Sequence, residues 1–259
     1  GSEVCIIDRG ERPLKGFDAD LVERLVARGE EVGVQLRRRT SLKSIKKDGT
    51  DFLVTVETGS ETKDLRADLV VQGAGRVAAI DQLDLAAANV EAGDKGVAVN
   101  AYLQSTSNPK IYAAGDAADT QGAPLTPVAV FEGKVAASNM LKGNRTKPDY
   151  SGVPSAVFTV PELTRVGMLE QDAREAGHDI RVVENDTGDW YSNLRVGESC
   201  AATKVIIDNE SDTILGAHLL GPEYGEIINF FGLAIRLGLT TSDLKKMVSV
   251  YPSVGSDLG

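Results

Sequence analysis

The sequence lacks several features that would assign it to a broad class of protein at once. No run approaches the ~18 consecutive apolar residues of a membrane-spanning helix, so we expect no membrane partner. The opening GSEVCIIDRGERPLK lacks the basic region, apolar run and small-residue cleavage site of a signal peptide. Two cysteines, Cys5 and Cys200, are too few for a disulfide scaffold and lack zinc-ligand spacing. The sequence therefore predicts a cytoplasmic protein without a metal site.

Positive charge is also scarce. The 259 residues include 28 Lys and Arg against 38 Asp and Glu, which gives a formal net charge of −10. An acidic chain repels phosphate backbones, so nucleic acid is not an expected partner. Hydrophobic residues at 42% and charged residues at 25% are typical of a globular protein, and the length predicts one large domain or two ordinary ones.

The first block of the chain reads as an α/β unit. It begins without Met and enters at once the β-branched run Val4–Ile7, which predicts a buried strand. Gly1-Ser2 as a tag remnant and the chain as the tail of a longer protein both remain open. Apolar residues at helical spacing follow, with acidic residues in the first turn and glycines at the end. They are Phe17, Leu21, Val22, Leu25 and Val26.

The rest of the chain divides into further blocks. Residues 41–66 predict a small antiparallel meander with a tight turn at Asp48-Gly49, and residues 68–71 predict a short apolar strand. In the second block, residues 110–116 predict a strand that ends on a Gly-Asp corner, and residues 126–141 predict a helix. A polar linker leads to a third block of strands and helices.

A helix predicted at residues 223–237 of the third block has one broad apolar face. Together with the strand predicted at 214–220, this face offers more apolar surface than one small sheet layer would bury. We therefore expect the third block, residues 152–259, to form a homodimer. The residues of the face are Tyr224, Ile227, Ile228, Phe231 and Ile235.

One glycine motif is ambiguous. Residues 73–78, GAGRVA, match the G-x-G-x-x-A dinucleotide fingerprint after a strand, and Asp94 lies at a tolerable distance to hold a ribose. Val77 is β-branched, however, and the residues up to Leu85 make an interrupted helix. A tight turn that leaves a strand is the better interpretation.

Two acidic positions carry more information. Asp8 ends the first predicted strand, where an acidic residue can bind both ribose hydroxyls, although a solvated strand end is the simpler interpretation. Gly115-Asp116 can bind a polyol or a ribityl chain, because glycine admits close approach and aspartate accepts hydroxyl protons. A turn in which Asp116 bonds its own backbone fits equally well.

The histidines and cysteines show no catalytic pattern. His178 and His218 share no motif with each other or with a cysteine, which predicts structural roles. Cys5 and Cys200 have no histidine or basic neighbour to activate a thiol, which predicts inert packing residues.

Seven segments, spread over essentially the whole chain, have the order and spacing of one protein family. They are Gly1–Asp18, Ala67–Arg76, Ile111–Ala118, Leu125–Ala129, Val157–Gly167, Ile214–Gly221 and Tyr251-Pro252. In this register the chain resembles the flavin-dependent pyridine nucleotide-disulfide oxidoreductases, the family of glutathione reductase, dihydrolipoamide dehydrogenase and mercuric reductase.

The resemblance implies an α/β fold with partial Rossmann-like NAD(P) and FAD domains, followed by an α+β dimerisation domain with an antiparallel sheet and helices. Residues 1–76 would be the latter part of the NAD(P)-binding domain, and residues 77–147 the returning half of the FAD-binding domain. Residues 152–259 would be the interface domain through which a homodimer forms.

The resemblance also implies the cofactor FAD and residues that would contact it. Asp116, beside Gly115, would bond the ribityl chain, while Thr126 and Ala129 would lie along the isoalloxazine edge. Phe158 would stand near the nicotinamide side of the flavin.

The second implied cofactor is NAD, with NADP as an alternative. Gly75 and Arg76 would close the NAD(P) site. Asp8 would receive the ribose 2′-hydroxyl and repel a 2′-phosphate, whereas Arg9 and Lys15 align with cations of the NADPH-using members. We predict NADH, because a carboxylate at the strand end is the closer contact.

Several parts of the family pattern are missing from this sequence. It has neither of the two strand–GxGxxG–helix units for the FAD and NAD(P) pyrophosphates, and it has no CxxxxC redox pair. The terminal H-P-x-x-x-E reads Tyr251-Pro252-Ser253-Val254-Gly255-Ser256, with Asp257 one place later. A phenol cannot replace a histidine base near neutral pH, so the resemblance assigns no catalytic residue to this chain.

Two functions therefore compete. The chain can be the C-terminal portion of an FAD-dependent NAD(P)H:disulfide oxidoreductase, in which hydride passes from nicotinamide to flavin and on to a cysteine pair outside this chain. It can instead be a non-catalytic dimerisation module or a truncated remnant of that family. In either case we predict that the chain alone holds no flavin and reduces no disulfide.

Overall fold

The structure is a computed structural model that describes residues 2–258. Gly1 and Gly259, at which two of the predicted domains begin or end, lie outside the described residues. The chain forms two compact units, one of residues 2–72 with 154–258 and the other of residues 73–153. No helix within the described residues is long and apolar enough to cross a membrane.

The first unit opens with a parallel strand pair, β1 (Val4–Ile7) and β2 (Val34–Arg37), joined through helix α1 (Ala19–Glu31). Asp18 begins α1 as its N-cap and accepts hydrogen bonds from two backbone N–H groups of the first turn. The predicted helix is confirmed. The predicted burial of β1 is wrong, because among the described strands β1 pairs only with β2, which leaves Val4 and Ile6 exposed at 44% and 48%.

The predicted meander is confirmed as a three-stranded antiparallel sheet of β3 (Thr40–Asp48), β4 (Asp51–Thr58) and β5 (Glu61–Ala67). Its first turn contains Gly49 at φ +66°, a conformation that glycine adopts without strain. The strand predicted at residues 68–71 is absent from the described structure. That segment pairs with no described strand, and its apolar side chains are largely exposed.

The second unit contains a small sheet, β6 (Ala92–Gly93), β7 (Gly96–Ala98) and β8 (Ala118–Asp119), and the predicted helix α2 (Thr126–Lys142). The prediction of a continuous strand over residues 110–116 is wrong. Only Tyr112 forms a bridge there, and the backbone N–H of Ile111 bonds the nearby carbonyl of Asn108. The antiparallel pairing with residues 103–105 is limited to this one bridge, with bonds from the Ser105 N–H to the Ile111 carbonyl and from the Ala113 N–H to the Leu103 carbonyl, and a 3₁₀ turn at Gly115–Ala117 follows.

The remainder of the first unit is an antiparallel sheet with helices, as predicted. Its strands are β9 (Ser155–Val157), β10 (Glu162–Gly167), β11 (Ile180–Asp186), β12 (Ala202–Asp208) and β13 (Ile214–Gly221), in the spatial order β11-β12-β13-β10-β9. Its helices are α3 (Glu170–Glu175), α4 (Tyr191–Val196), α5 (Tyr224–Leu237), α6 (Thr241–Leu244) and α7 (Val254–Asp257).

The two faces of this sheet are covered by different helices. Residues of α5 pack with Ala217 and Leu219 of β13 in one core. Leu21 and Val22 of α1 pack with Leu220, the next residue along β13, in another. Because side chains alternate along a strand, α1 and α5 lie on opposite faces.

The apolar face of α5 is therefore used within the protomer. Tyr224, Ile227, Ile228 and Phe231 are buried in the core with β13, so the expectation that this face has more apolar surface than one small sheet layer would bury is wrong. The helix keeps other apolar side chains exposed. Phe230, Leu233 and Leu237 are 42%, 54% and 61% exposed.

Candidate functional site

A cavity of about 540 Å³ lies in the second unit, where the 3₁₀ turn at 115–117 meets the first turns of α2. Six of the residues singled out from the sequence occur in or beside it, and five of these line it together. The lining residues are Arg76, Ala114, Gly115, Asp116, Ala117, Pro124, Thr126, Ala129 and Val130. Gly75 precedes Arg76 and is exposed.

The turn that presents Asp116 requires glycine at position 115. Gly115 has φ +63°, and a Cβ there would lie 2.7 Å from Cβ of Ala129 on α2. Asp116 is consequently held at the cavity with 42% of its side chain exposed, and its Oδ2 lies 3.3 Å from Nη2 of Arg76. A carboxylate paired with a guanidinium can accept hydrogen bonds from hydroxyl groups while its charge is partly offset.

The N-terminus of α2 forms the other side of the cavity. The helix begins at Thr126, which is exposed, and has Pro127 in its first turn. First-turn N–H groups have no carbonyl partner within a helix, so this end carries partial positive charge. The cavity thus combines hydroxyl acceptors with a polar helix end.

Sequence reasoning missed Glu132, the residue that organises this turn. Glu132 is fully buried in α2 and accepts hydrogen bonds from the backbone N–H of Gly115 at 2.6 Å, the hydroxyl of Thr120 at 2.8 Å and the hydroxyl of Tyr150 at 2.6 Å. Burial, followed by this hydrogen bond to Glu132, raises the pKa of Tyr150 to about 12. Val128, Glu132 and Val135 share one buried face of α2, so their helical spacing could have predicted that Glu132 is buried.

The glycine motif at residues 73–78 does not start a helix. Gly75 has φ +104°, and the segment that follows is irregular as far as a 3₁₀ turn at Asp81–Leu83. The interpretation as a tight turn that leaves a strand is wrong, because residues 69–73 form no strand in the described structure and the motif contains only a bend at Ala74.

The candidate nucleotide residues Asp8, Arg9 and Lys15 lie in the first unit, on the loop between β1 and α1. Oδ1 of Asp8 accepts the backbone N–H of Gly10 at 2.5 Å. A Cβ on Gly10 would lie 2.9 Å from Oδ1 of Asp8 and 3.0 Å from Cε of Lys15. Asp8 and Lys15 therefore flank the same glycine, while Arg9 is exposed.

The remaining candidates of the first unit are exposed aromatic residues. Phe158 follows β9 and is 83% exposed. The ring of Tyr251 is 78% exposed and lies 6.4 Å from that of Tyr191, centroid to centroid. The carboxylate of Asp257 accepts the backbone N–H of Ser192 at 3.1 Å, which joins α7 to α4.

The histidines have structural partners, as predicted. His218 is buried, and its Nε2 lies 2.9 Å from the carbonyl oxygen of Met168. Burial lowers the pKa of His218. Nδ1 of His178 lies 3.2 Å from a carboxylate oxygen of Asp208.

The two cysteines differ from each other. Cys200 is half-buried, and burial together with the nearby carboxylate of Glu198 raises the pKa of its thiol, which fits an inert packing residue. Cys5 is exposed on β1, so the prediction that it packs is wrong. Its exposure follows from that of β1 itself.

Family comparisons agree with these features. Residues 1–133 match the model described as "Pyridine nucleotide-disulphide oxidoreductase", and residues 153–258 match "Pyridine nucleotide-disulphide oxidoreductase, dimerisation domain". The chain belongs to the pyridine nucleotide-disulfide oxidoreductase family, and the resemblance seen in the sequence is confirmed.

Individual relatives show how much of the family pattern is present. The chain is 50% identical over 176 residues, 68% of its length, to an "Uncharacterized 19.7 kDa protein in mercuric resistance operon" of Staphylococcus aureus, and the match covers 98% of that protein. It is 32% identical over 259 residues to mercuric reductase of Bacillus cereus, covering 100% of this chain and 41% of the reductase.

A solved structure gives the same result for the fold. The copper(II) complex of the HOCl-induced flavoprotein disulfide reductase RclA from Escherichia coli aligns with a TM-score of 0.88 at 28% identity. The alignment covers 100% of this chain and 57% of that one. The predicted fold class is confirmed, and the chain spans about half the length of these longer relatives.

Proposed function

We propose that this chain is the C-terminal portion of an FAD-dependent NAD(P)H:disulfide oxidoreductase. The observation that carries the proposal is the cavity at the 115–117 turn, in which Asp116, Arg76 and the start of α2 converge. In the whole enzyme, bound flavin would accept hydride from nicotinamide and pass electrons to a cysteine pair outside this chain. NAD is the proposed nicotinamide cofactor, with NADP as the alternative.

The residues of the cavity fit part of an FAD molecule. Asp116 would accept hydrogen bonds from ribityl hydroxyls, and Gly115 would allow the close approach of that chain. Thr126 and Ala129 would contact the isoalloxazine edge at the N-terminus of α2. Arg76 would offset the charge of Asp116, so we assign it to the flavin side in addition to its proposed place at the edge of the NAD(P) site.

The nucleotide-side residues would lie in the first unit. Asp8 would bond the ribose 2′-hydroxyl, whereas Arg9 and Lys15 would favour a 2′-phosphate. Gly75 would help to close the NAD(P) site, and Phe158 would stand at the nicotinamide. We keep the preference for NADH, because the Asp8 carboxylate ends the strand and would be the closer contact.

We further propose that residues 1–76 and 77–147 belong to the NAD(P)- and FAD-binding domains, and that residues 152–259 form a homodimer. The exposed side chains Phe230, Leu233 and Leu237 of α5 support the dimer, because contiguous exposed apolar residues mark protein interfaces. The exposure of β1 supports the assignment to a partial domain, because strands of parallel sheets are normally covered by other parts of the protein. We expect the protein in the cytoplasm.

A non-catalytic dimerisation module is the second candidate. The specific observation in its favour is the S. aureus relative, because this chain covers 98% of its length. A match of 176 residues that covers nearly all of that protein leaves it little length for both halves of a flavin site.

Adding the missing half in trans separates the two candidates. The purified chain should be colourless and should show no NAD(P)H-dependent reduction of a dithiol reagent. Mixing it with the N-terminal part of the Bacillus cereus mercuric reductase that lies outside the match should restore FAD binding and a yellow complex on gel filtration. Asp116→Ala should weaken that binding, and Asp94→Ala, outside the cavity, should not. A mixture that stays colourless supports the module.

The dimer has its own test. Leu233→Glu places a charge among the exposed apolar residues of α5 and should shift the sedimentation coefficient from dimer to monomer. Leu42→Glu changes a side chain of similar exposure, 50%, on the β3–β5 meander and should leave the dimer intact. An unaltered chain that sediments as a monomer would count against this interface.

A further inference from the structure

One row of side chains across the sheet is polar where its neighbours are apolar. Cross-strand pairing places Glu184 of β11, Lys204 of β12, His218 of β13 and Arg165 of β10 side by side. The apolar row of the same face, Ala202, Leu220 and Leu163, packs against α1. Because alternate residues share a face, the polar row lies on the α1 side of the sheet.

Arg165 reaches from this row to the loop that precedes α1. One of its Nη atoms donates to the carbonyl oxygen of Gly16, and the other donates to that of Gly167 at 3.0 Å. The bond to Gly16 links residues 149 positions apart in the chain. The guanidinium therefore ties the loop to β10 directly.

The loop's own arginine takes the neighbouring carbonyls. Arg12 donates to the carbonyl oxygens of Phe17 at 2.9 Å, Lys15 at 3.2 Å and Leu14 at 3.5 Å. Arg12 thus binds three of the four successive carbonyl oxygens of residues 14–17. The fourth, that of Gly16, is bound by Arg165. Two guanidinium groups thus fix the backbone on both sides of the Lys15 side chain.

Lys204 fixes the far end of the same loop. Its Nζ lies 3.2 Å from a carboxylate oxygen of Asp18 and 2.8 Å from one of Asp20, at the start of α1. It also lies within 3.2 Å of carboxylate oxygens of Glu170 and Glu184. Lys204 and Asp18 are both 5% exposed, so this contact is shielded from water.

We propose that Arg165 and Lys204 are positioning residues that set the geometry of residues 9–18 and thereby the choice between a 2′-hydroxyl and a 2′-phosphate on a bound adenosine. The selectivity half of this proposal rests on the proposed function. Lys15 and Asp8 flank Gly10 with little spare room, so a shift of the 14–17 turn changes which of them meets the 2′ substituent. Apolar residues would hold α1 equally well, whereas directional bonds define where the turn lies.

Hydrogen exchange on the unaltered chain and two variants tests the positioning. The N–H of Phe17 bonds the carbonyl of Leu14 at 2.9 Å and reports the turn. In Arg165→Gln this amide should exchange about tenfold faster, because a charged hydrogen bond to the turn is lost. Arg165→Lys, which keeps the charge without the fork, should fall between the two.

The control is Arg66→Gln, which removes an exposed arginine paired with Asp48 in the meander and should leave the Phe17 amide unchanged. Asp20→Asn probes the Lys204 contact without burying an unpaired charge, because Asp20 is exposed, and should raise exchange at the start of α1. If Arg165→Gln folds cooperatively and the Phe17 amide exchanges as before, the positioning role is overturned.

Nucleotide selectivity is read separately, by NMR titration with 5′-AMP and with adenosine 2′,5′-bisphosphate. Arg165→Gln should change the ratio of the two dissociation constants, whereas Arg66→Gln should not. An unchanged ratio overturns the selectivity half. If the unaltered chain binds neither probe, the nucleotide site and the selectivity half both fail, while the exchange result still decides the positioning.

Discussion

The two units each bury a charged side chain, and they satisfy it in opposite ways. In the second unit, the carboxylate of Glu132 is met by neutral donors, a backbone N–H and two hydroxyls. In the first unit, the ammonium of Lys204 is met by four carboxylates. The partners of Glu132 lie 12 to 18 positions away in the chain, whereas Asp20 lies 184 positions from Lys204.

This difference shows what each charge does for its unit. Glu132 shapes one turn, because a carboxylate can accept several bonds at once and can hold separate donors around it. Lys204 joins elements that are far apart in sequence, because the three N–H donors of its ammonium can bond carboxylates on several of them at once. Burial acts to lower the pKa of Lys204, but the carboxylates of Asp20, Glu184 and Asp18 outweigh it and the net shift is upward.

Removing the cation should have the largest effect. Lys204→Met leaves the Asp18 carboxylate buried without its cation, and removing one side of a buried ion pair costs about 3 kcal/mol or more. We expect the low end of that range, because Asp20 and Glu184, at 71% and 58% side-chain exposure, can turn to water. The measurement is urea unfolding followed by fluorescence of Trp190, the single tryptophan, which reports on the first unit.

The matched control is Lys43→Met, since Lys43 pairs with Glu57 on the exposed meander at 2.6 Å. It should lose less than about 1 kcal/mol of unfolding free energy. Equal losses for the two variants would mean that the carboxylates around Lys204 are solvated, and the contrast between the two units would disappear.

Removing the anion should have a smaller, more local effect. Glu132→Leu leaves the Gly115 N–H and two hydroxyls without their acceptor, which should cost the second unit about 2 kcal/mol. Glu132→Gln should cost about half as much, because an amide oxygen can still accept from Gly115 and hydroxyls can rotate to accept. Exchange of the α2 amides measures both variants. A larger loss for Gln than for Leu would contradict this account.

Periodicity in the sequence predicted the elements that depend on local pattern. Helices α1 and α2 and the β3–β5 meander follow from apolar spacing, first-turn acidic residues and the Asp48-Gly49 turn. The strands predicted at 68–71 and 110–116 failed because an apolar run forms a strand only when a neighbour supplies the ladder. No local pattern reveals that neighbour.

The candidate site was predictable to a similar degree. Asp116, Thr126 and Ala129 were found through the family pattern, and they line one cavity. Lys204 and Arg165 were not found, because a cation on an alternating strand reads as solvent-facing until the position of α1 is known. The burial of Lys204 and the partial burial of Arg165 are tertiary properties, set by a helix far away in sequence.

The smallest expected effect concerns Tyr150, which donates its hydroxyl to Glu132. Burial and the neighbouring carboxylate raise its pKa from 10.0 to about 12, so the folded second unit favours the protonated phenol. A raised pKa stabilises the fold fully below pH 10, and this contribution is lost as the pH rises from 10 towards 12. Tyr150→Phe removes one hydrogen bond, worth about 1 kcal/mol near neutral pH, and should also remove this part of the pH dependence. The urea midpoint by circular dichroism should therefore differ between the two proteins at pH 8 and converge towards pH 12.

Tyr251→Phe, whose ring is 78% exposed, controls for loss of a phenol and should keep the slope of the unaltered chain. Parallel curves for Tyr150→Phe and the unaltered chain would mean that the hydrogen bond to Glu132 does not keep the Tyr150 phenol protonated. The Glu132 carboxylate would then depend on Gly115 and Thr120 alone as donors.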